Sequence, residues 1–139
     1  MACILVVEDD LGIALLLQEV LSEAGHEVRL ATDGRQAMST LGKERPPDLV
    51  LTDLNLPYVR GAELIGMMRR DPKMRAIPVV VATGASVEEL PPQETYQMLI
   101  QKPYEMTEVV KAVRALLCCP AGAVSRPVRG VVRGGAASS

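Results

Sequence analysis

Short runs of consecutive apolar residues alternate along this chain with segments whose apolar residues recur every three or four positions. A sheet with one wet face would show apolar residues at every second position. Uninterrupted runs instead mark strands buried on both faces, which is the condition of a parallel sheet covered by helices on each side. The runs place strands at Cys3–Val7, Glu27–Ala31, Leu49–Thr52, 77–83 and Met98–Gln101, with Val79, Val80 and Val81 forming the most β-branched stretch. Alternating strand and helix with right-handed crossovers gives an α/β fold whose five-stranded parallel sheet is doubly wound.

The helices between the strands carry their own punctuation. In the first, Ile13, Leu16, Leu17, Val20, Leu21 and Ala24 form the stripe, Asp10 is the expected N-cap and Gly25 the stop. The second starts at an Asp33 cap and carries Ala37, Met38 and Leu41. A third runs through Ala62, Leu64, Ile65 and Met68 until Pro72 ends it. The last puts Met106, Val109, Val110, Val113, Leu116 and Leu117 on one face, before Pro120.

Composition bounds what such a fold can be. The chain has 139 residues, 48% hydrophobic and 23% charged, which suits one domain with a genuine core. Residues 2–119 make that domain. The last twenty residues are different: 13 of them are Ala, Gly, Pro or Ser, none is acidic, and Arg126, Arg129 and Arg133 are the charges. Residues 120–139 are therefore expected to be a flexible, disordered tail, too small to form a DNA-binding module; direct contact with nucleic acid is not expected. No apolar run approaches a membrane span and no basic leader precedes one, so a cytoplasmic protein without membrane contact is expected. Cys3, Cys118 and Cys119 lack metal-site or disulfide spacing and are expected to be reduced and structural.

Doubly wound sheets bind ligands beyond the carboxyl ends of their strands. Those ends carry Glu8-Asp9-Asp10 after the first strand, Asp53 after the third, Thr83-Gly84 after the fourth and Lys102-Pro103 after the fifth. Gathered carboxylates repel one another, and a divalent cation with hard oxygen ligands relieves that repulsion. Magnesium suits an open acidic corner because it keeps several waters. A cation, an amine and a hydroxyl around a further carboxylate would neutralise the spread charge of a phosphoryl group, with Asp53 as the candidate nucleophile.

Ile4-Leu5-Val6-Val7-Glu8-Asp9-Asp10, Asp53-Leu54-Asn55-Leu56-Pro57 with Gly61, and Lys102-Pro103 together resemble the receiver domain of two-component response regulators. The resemblance covers about residues 2–119. It implies a flavodoxin-like fold in which Asp53 takes a phosphoryl group from a sensor histidine kinase or histidine phosphotransfer protein. Magnesium would be the cofactor, ligated by Asp9, by the Asp53 carboxylate, by the Asn55 backbone carbonyl and, through water, by Glu8. Lys102 would pair with the phosphoryl group, Thr83 and the Gly84 amide would bind it once attached, and Pro103 would follow a cis bond. The implied role is a signalling domain, not a turnover enzyme, that catalyses only its own phosphorylation and slow dephosphorylation. It would act on a separate downstream effector.

The sequence departs from that family at two places. Leu99 stands three residues before the lysine, where members usually carry Tyr or Phe. Pro91-Pro92 interrupts the fourth helix, so one turn at 87–90 followed by loop is expected and the output surface is reshaped. These departures define an alternative: a receiver-like interaction module that works without phosphorylation. A phosphatase using an Asp-x-Asp loop is a further alternative, and position 55, an Asn, leaves it without its second acid. Generic flavin binding lacks a Ser/Thr/Gly-rich loop after the first strand, and His26 is expected to be a surface residue with no phosphodonor role.

Overall fold

The computed structural model describes residues 2–43, 45–84, 90–117 and 128–133, with Lys43 and the last segment described by backbone alone. The strands are β1 (Cys3–Val7), β2 (Glu27–Ala31), β3 (Leu49–Thr52), β4 (Val79–Thr83), β5 (Met98–Gln101) and β6 (Val128–Arg133). The helices are α1 (Leu11–Glu23), α2 (Gly34–Lys43), α3 (Gly61–Arg70) and α4 (Met106–Leu117). All strands are parallel, in the order β2-β1-β3-β4-β5-β6. The winding therefore reverses between β1 and β3, where Val7 and Thr52 are register partners.

Alternate residues of each central strand enter two separate cores. Leu5, Val7, Val50, Val79, Val81 and Leu99 pack with α2 and α3, while Ile4, Val6, Leu49, Leu51, Val80 and Ile100 pack with α1 and α4. Because both faces are dry, every position of these strands can be apolar.

Helix starts follow the capping residues. The Asp10 carboxylate accepts from the Ile13 N–H at 3.2 Å, and Asp33 accepts from the Gln36 N–H at 2.7 Å. Gly25 follows α1 with φ +98°, a conformation that a Cβ would strain. The expected stripe of α1 is corrected at Leu16, which is 46% exposed; Ala14, Leu17 and Leu21 are the buried positions. Leu11, Leu15 and Leu16 are apolar yet outward, so periodicity does not single out one face of this helix.

Two further differences concern the sheet. β4 begins at Val79, two residues later than expected, because Pro78 has no N–H for the ladder; its carbonyl still accepts from Val50 at 3.0 Å. A sixth strand lies inside the segment read as a tail: Val128–Arg133 adds parallel to β5, pairing Val128 with Met98 and Arg133 with Gln101, with an irregularity between Met98 and Ile100. Its three valines favour extended backbone, and the outer edge of β5 offers unpaired donors and acceptors. The rest of that segment, Cys118, Cys119 and most of the expected turn at 87–90 lie outside the described residues. Between Leu90 and β5, the described chain forms a 3-10 turn at Gln93–Thr95.

Candidate phosphoacceptor site

The crossover between β1 and β3 brings Glu8 and Asp53 side by side. The Asp53 N–H donates to the Val7 carbonyl at 3.1 Å, and the Glu8 N–H to the Ala31 carbonyl at 2.9 Å. Both carboxylates are buried, 3% and 5% exposed, while Asp9 is exposed. Carboxylate oxygens of Glu8, Asp9 and Asp53 lie within 4.8 Å of one another. Like charges at that spacing need compensation, and burial pushes the Glu8 carboxyl above its usual range; the Asp10 N–H and the Lys102 charge act against that rise.

Lys102 reaches this cluster from the end of β5. Its Nζ is 2.7 Å from Asp53 Oδ2 and 3.4 Å from Glu8 Oε1. Burial alone would lower the pKa of this amine. The hydrogen bond and charge of Asp53, with Glu8 behind, outweigh it and hold Lys102 above its usual value. The Lys102–Pro103 peptide bond is cis.

The remaining oxygen of the Asp53 carboxylate is held by its own loop. Oδ1 accepts from the Leu54 N–H at 2.6 Å and from the Asn55 N–H at 3.2 Å. Gly61 closes the loop by donating to the Leu54 carbonyl at 3.0 Å, and a Cβ there would stand 2.2 Å from the Asp53 carbonyl oxygen. Only glycine fits that approach.

Thr83 is fully buried at the end of β4, and its carbonyl accepts from the Lys102 N–H at 3.1 Å. Gly84 is exposed, and a Cβ on it would come 3.8 Å from the Lys102 Cβ. Leu99 is 8% exposed in the core against α2 and α3. Glu8, Asp9, Asp53, Thr83, Gly84 and Lys102 thus lie at one end of the sheet, with Asn55 in the adjoining loop and Leu99 within the core beneath. The donor set of three carboxylates is hard oxygen, and its excess negative charge suits a divalent cation.

Sequence reasoning missed three features here. Tyr96 is buried in the same core as Leu99, so an aromatic ring is present at the entry of β5. Arg69 hydrogen-bonds the Thr95, Arg75 and Ile77 carbonyls and the Gln97 side chain, at 2.8–3.1 Å. Arg60 donates to Asn55 Oδ1 at 3.3 Å. The acceptors of Arg69 are mostly backbone carbonyls, which no residue letter announces.

Comparison with known proteins fits this geometry. Residues 4–114 match the family model described as the response regulator receiver domain. Sporulation initiation phosphotransferase F of Bacillus subtilis is 34% identical over 117 residues, covering 82% of this chain and 92% of that protein. The DNA-binding response regulator MtrA of Mycobacterium tuberculosis is 34% identical over 114 residues, and there the chain spans half of the relative's length. Among solved structures, the receiver domain of a signal transduction histidine kinase from Syntrophus aciditrophicus aligns with TM-score 0.78 and 30% identity, over 85% of this chain and 91% of that one. The response regulator TrrA of Thermotoga maritima, in complex with magnesium and BeF, aligns with TM-score 0.73 and 29% identity over 84% and 99%. The chain belongs to the response regulator receiver domains of two-component systems, with their flavodoxin-like fold. Members of this family are signalling domains that bind magnesium at an acidic pocket.

Proposed function

We propose that Asp53 accepts a phosphoryl group from the phosphohistidine of a sensor histidine kinase or histidine phosphotransfer protein, and that the aspartyl phosphate changes binding to a downstream effector. The observation that carries this reading is the Lys102 ammonium 2.7 Å from Asp53, inside a cluster of three carboxylates. Asp9, Asp53 and the Asn55 carbonyl would hold magnesium directly, and Glu8 through water. The bound ion would offset charge on the phosphoryl oxygens.

The chain's own residues supply the rest. An Asp53 oxygen attacks phosphorus as the phosphorus–nitrogen bond of the donor breaks, and the imidazole leaves with its electron pair. Lys102 transfers its ammonium from Asp53 Oδ2 to the phosphoryl oxygens, compensating charge where it develops. Thr83 then donates its hydroxyl, and Gly84 its amide, to the attached group. Slow hydrolysis at the same site returns the aspartate.

The switch follows from differential contacts. The phosphoryl group adds roughly one negative charge over the carboxylate, and it biases two arrangements only through bonds made in one of them. Thr83 is the contact, and Leu99 with Tyr96 is the packing that rearranges beneath it. Amide shifts of the full chain with magnesium and beryllium fluoride should spread from Thr83 and Gly84 to Leu99. Shifts confined to the pocket would instead support a module that binds without switching.

A further inference from the structure

The rim of the pocket on the α2–α3 side is built on a strained turn. Tyr58 has φ +69°, is 71% exposed and sits at the apex of a turn closed by the Val59 N–H donating to the Pro57 carbonyl at 2.8 Å. A non-glycine residue with positive φ at such an apex is a strained arrangement, and an exposed ring gains little from it. Two cations flank this turn. The Arg35 guanidinium lies 4.2 Å over the Tyr58 ring, and the Gly34 N–H donates to the Pro57 carbonyl at 3.3 Å, tying the start of α2 to the same loop. Arg60, on the other side, donates to Asn55, whose own N–H is 3.2 Å from Asp53 Oδ1.

Each guanidinium is held by a neutral group. Among the described residues neither forms an ion pair, although Glu63 is only three residues beyond Arg60. The pocket itself sets three carboxylates against one ammonium, so a divalent cation brings it only to neutrality. An arriving anion therefore gains no net attraction from the pocket floor. The rim supplies it, through Arg60 on Asn55, two residues beyond the nucleophile.

We propose that Arg60, with Arg35 beside Tyr58, forms an anion-receiving rim that makes this chain favour doubly charged acyl phosphates over singly charged phosphodonors. The inference rests on Asp53 as the acceptor. Its ligand class is set by charge: the guanidinium meets the phosphate oxygens before the Asp53 oxygen reaches phosphorus, and the acyl group then departs as a carboxylate.

The test compares labelling rates of the full chain by acetyl phosphate and by phosphoramidate, with magnesium, at low and raised salt. Arg60→Gln should slow labelling by acetyl phosphate about two- to fivefold at low salt, slow phosphoramidate less, and lose the difference as salt screens it. Arg60→Lys keeps the charge and should keep most of the donor preference. Equal slowing with both donors, insensitive to salt, overturns the proposal and leaves Arg60 as a support for Asn55. So does an unchanged preference in Arg60→Gln. Failure of the wild-type chain to label with either donor defeats the acceptor reading itself, a result distinct from those two.

Discussion

Lys102 and Asp53 are 49 positions apart in sequence and 2.7 Å apart in space, joined across the end of β4, which separates their strands. The pair is mostly buried, so removing either partner leaves the other's charge poorly compensated. Lys102→Ala leaves Glu8 and Asp53 without their cation and should cost about 1–3 kcal/mol of stability, less than a fully buried pair because the lysine side chain is 28% exposed. Urea midpoints of the two chains check this, and magnesium should restore part of the loss.

The pH dependence of that pair has a definite sign. The folded-state pKa of Lys102 is raised above 10.5, so its contribution is complete below pH 10.5 and disappears as pH rises through the folded value. Glu8 acts at the other end of the scale: its carboxyl, raised above 4.5, binds its proton more tightly folded than unfolded, so stability falls as pH rises through that window. In urea unfolding across both ranges, Lys102→Ala should remove the alkaline slope and steepen the acidic one, because Glu8 loses the cation that opposes its rise, and Glu8→Gln should remove the acidic slope.

Gly61→Ala puts a methyl 2.2 Å from the Asp53 carbonyl oxygen, a contact that backbone must yield to relieve. A loss of about 1–3 kcal/mol is expected, with amide shifts centred on Leu54 and Asn55. Thermal unfolding and an amide spectrum measure both.

Arg69 is a staple between α3 and the turn before β5, and among the described residues none of its hydrogen-bond acceptors is a carboxylate. Burial pushes its pKa down. Arg69→Met leaves the Thr95 and Ile77 carbonyls without this donor and should cost about 2–4 kcal/mol, with faster hydrogen exchange at 93–97. Wild-type protection of those amides in the variant would show that the staple is dispensable.

Tyr104 offers the opposite case. Its hydroxyl is buried without a hydrogen-bond partner among the described residues, and burial raises its pKa above 10. Tyr104→Phe removes the unsatisfied oxygen and should be neutral or stabilising by about 1 kcal/mol. Calorimetry reads the change directly.

Strand positions were legible because dry faces leave continuous apolar runs, and four of the five expected strands have the expected bounds. The displaced start of β4 traces to one missing N–H, at Pro78. The outward Leu16 traces to a helix that is apolar on several sides. The acidic residues and Lys102 were legible because each follows a strand, and strand ends in a parallel sheet converge. The Arg69 staple, the Arg60–Asn55 bond and the burial of Tyr96 were not, since they depend on how turns fold back in space. β6 was hidden by a composition dominated by small residues.

Phosphorylation of Asp53 is the central claim, and intact mass after incubation with acetyl phosphate and magnesium tests it most directly. The wild-type chain should gain one alkali-labile phosphoryl group and Asp53→Asn none. Equal gain by the variant would contradict the account.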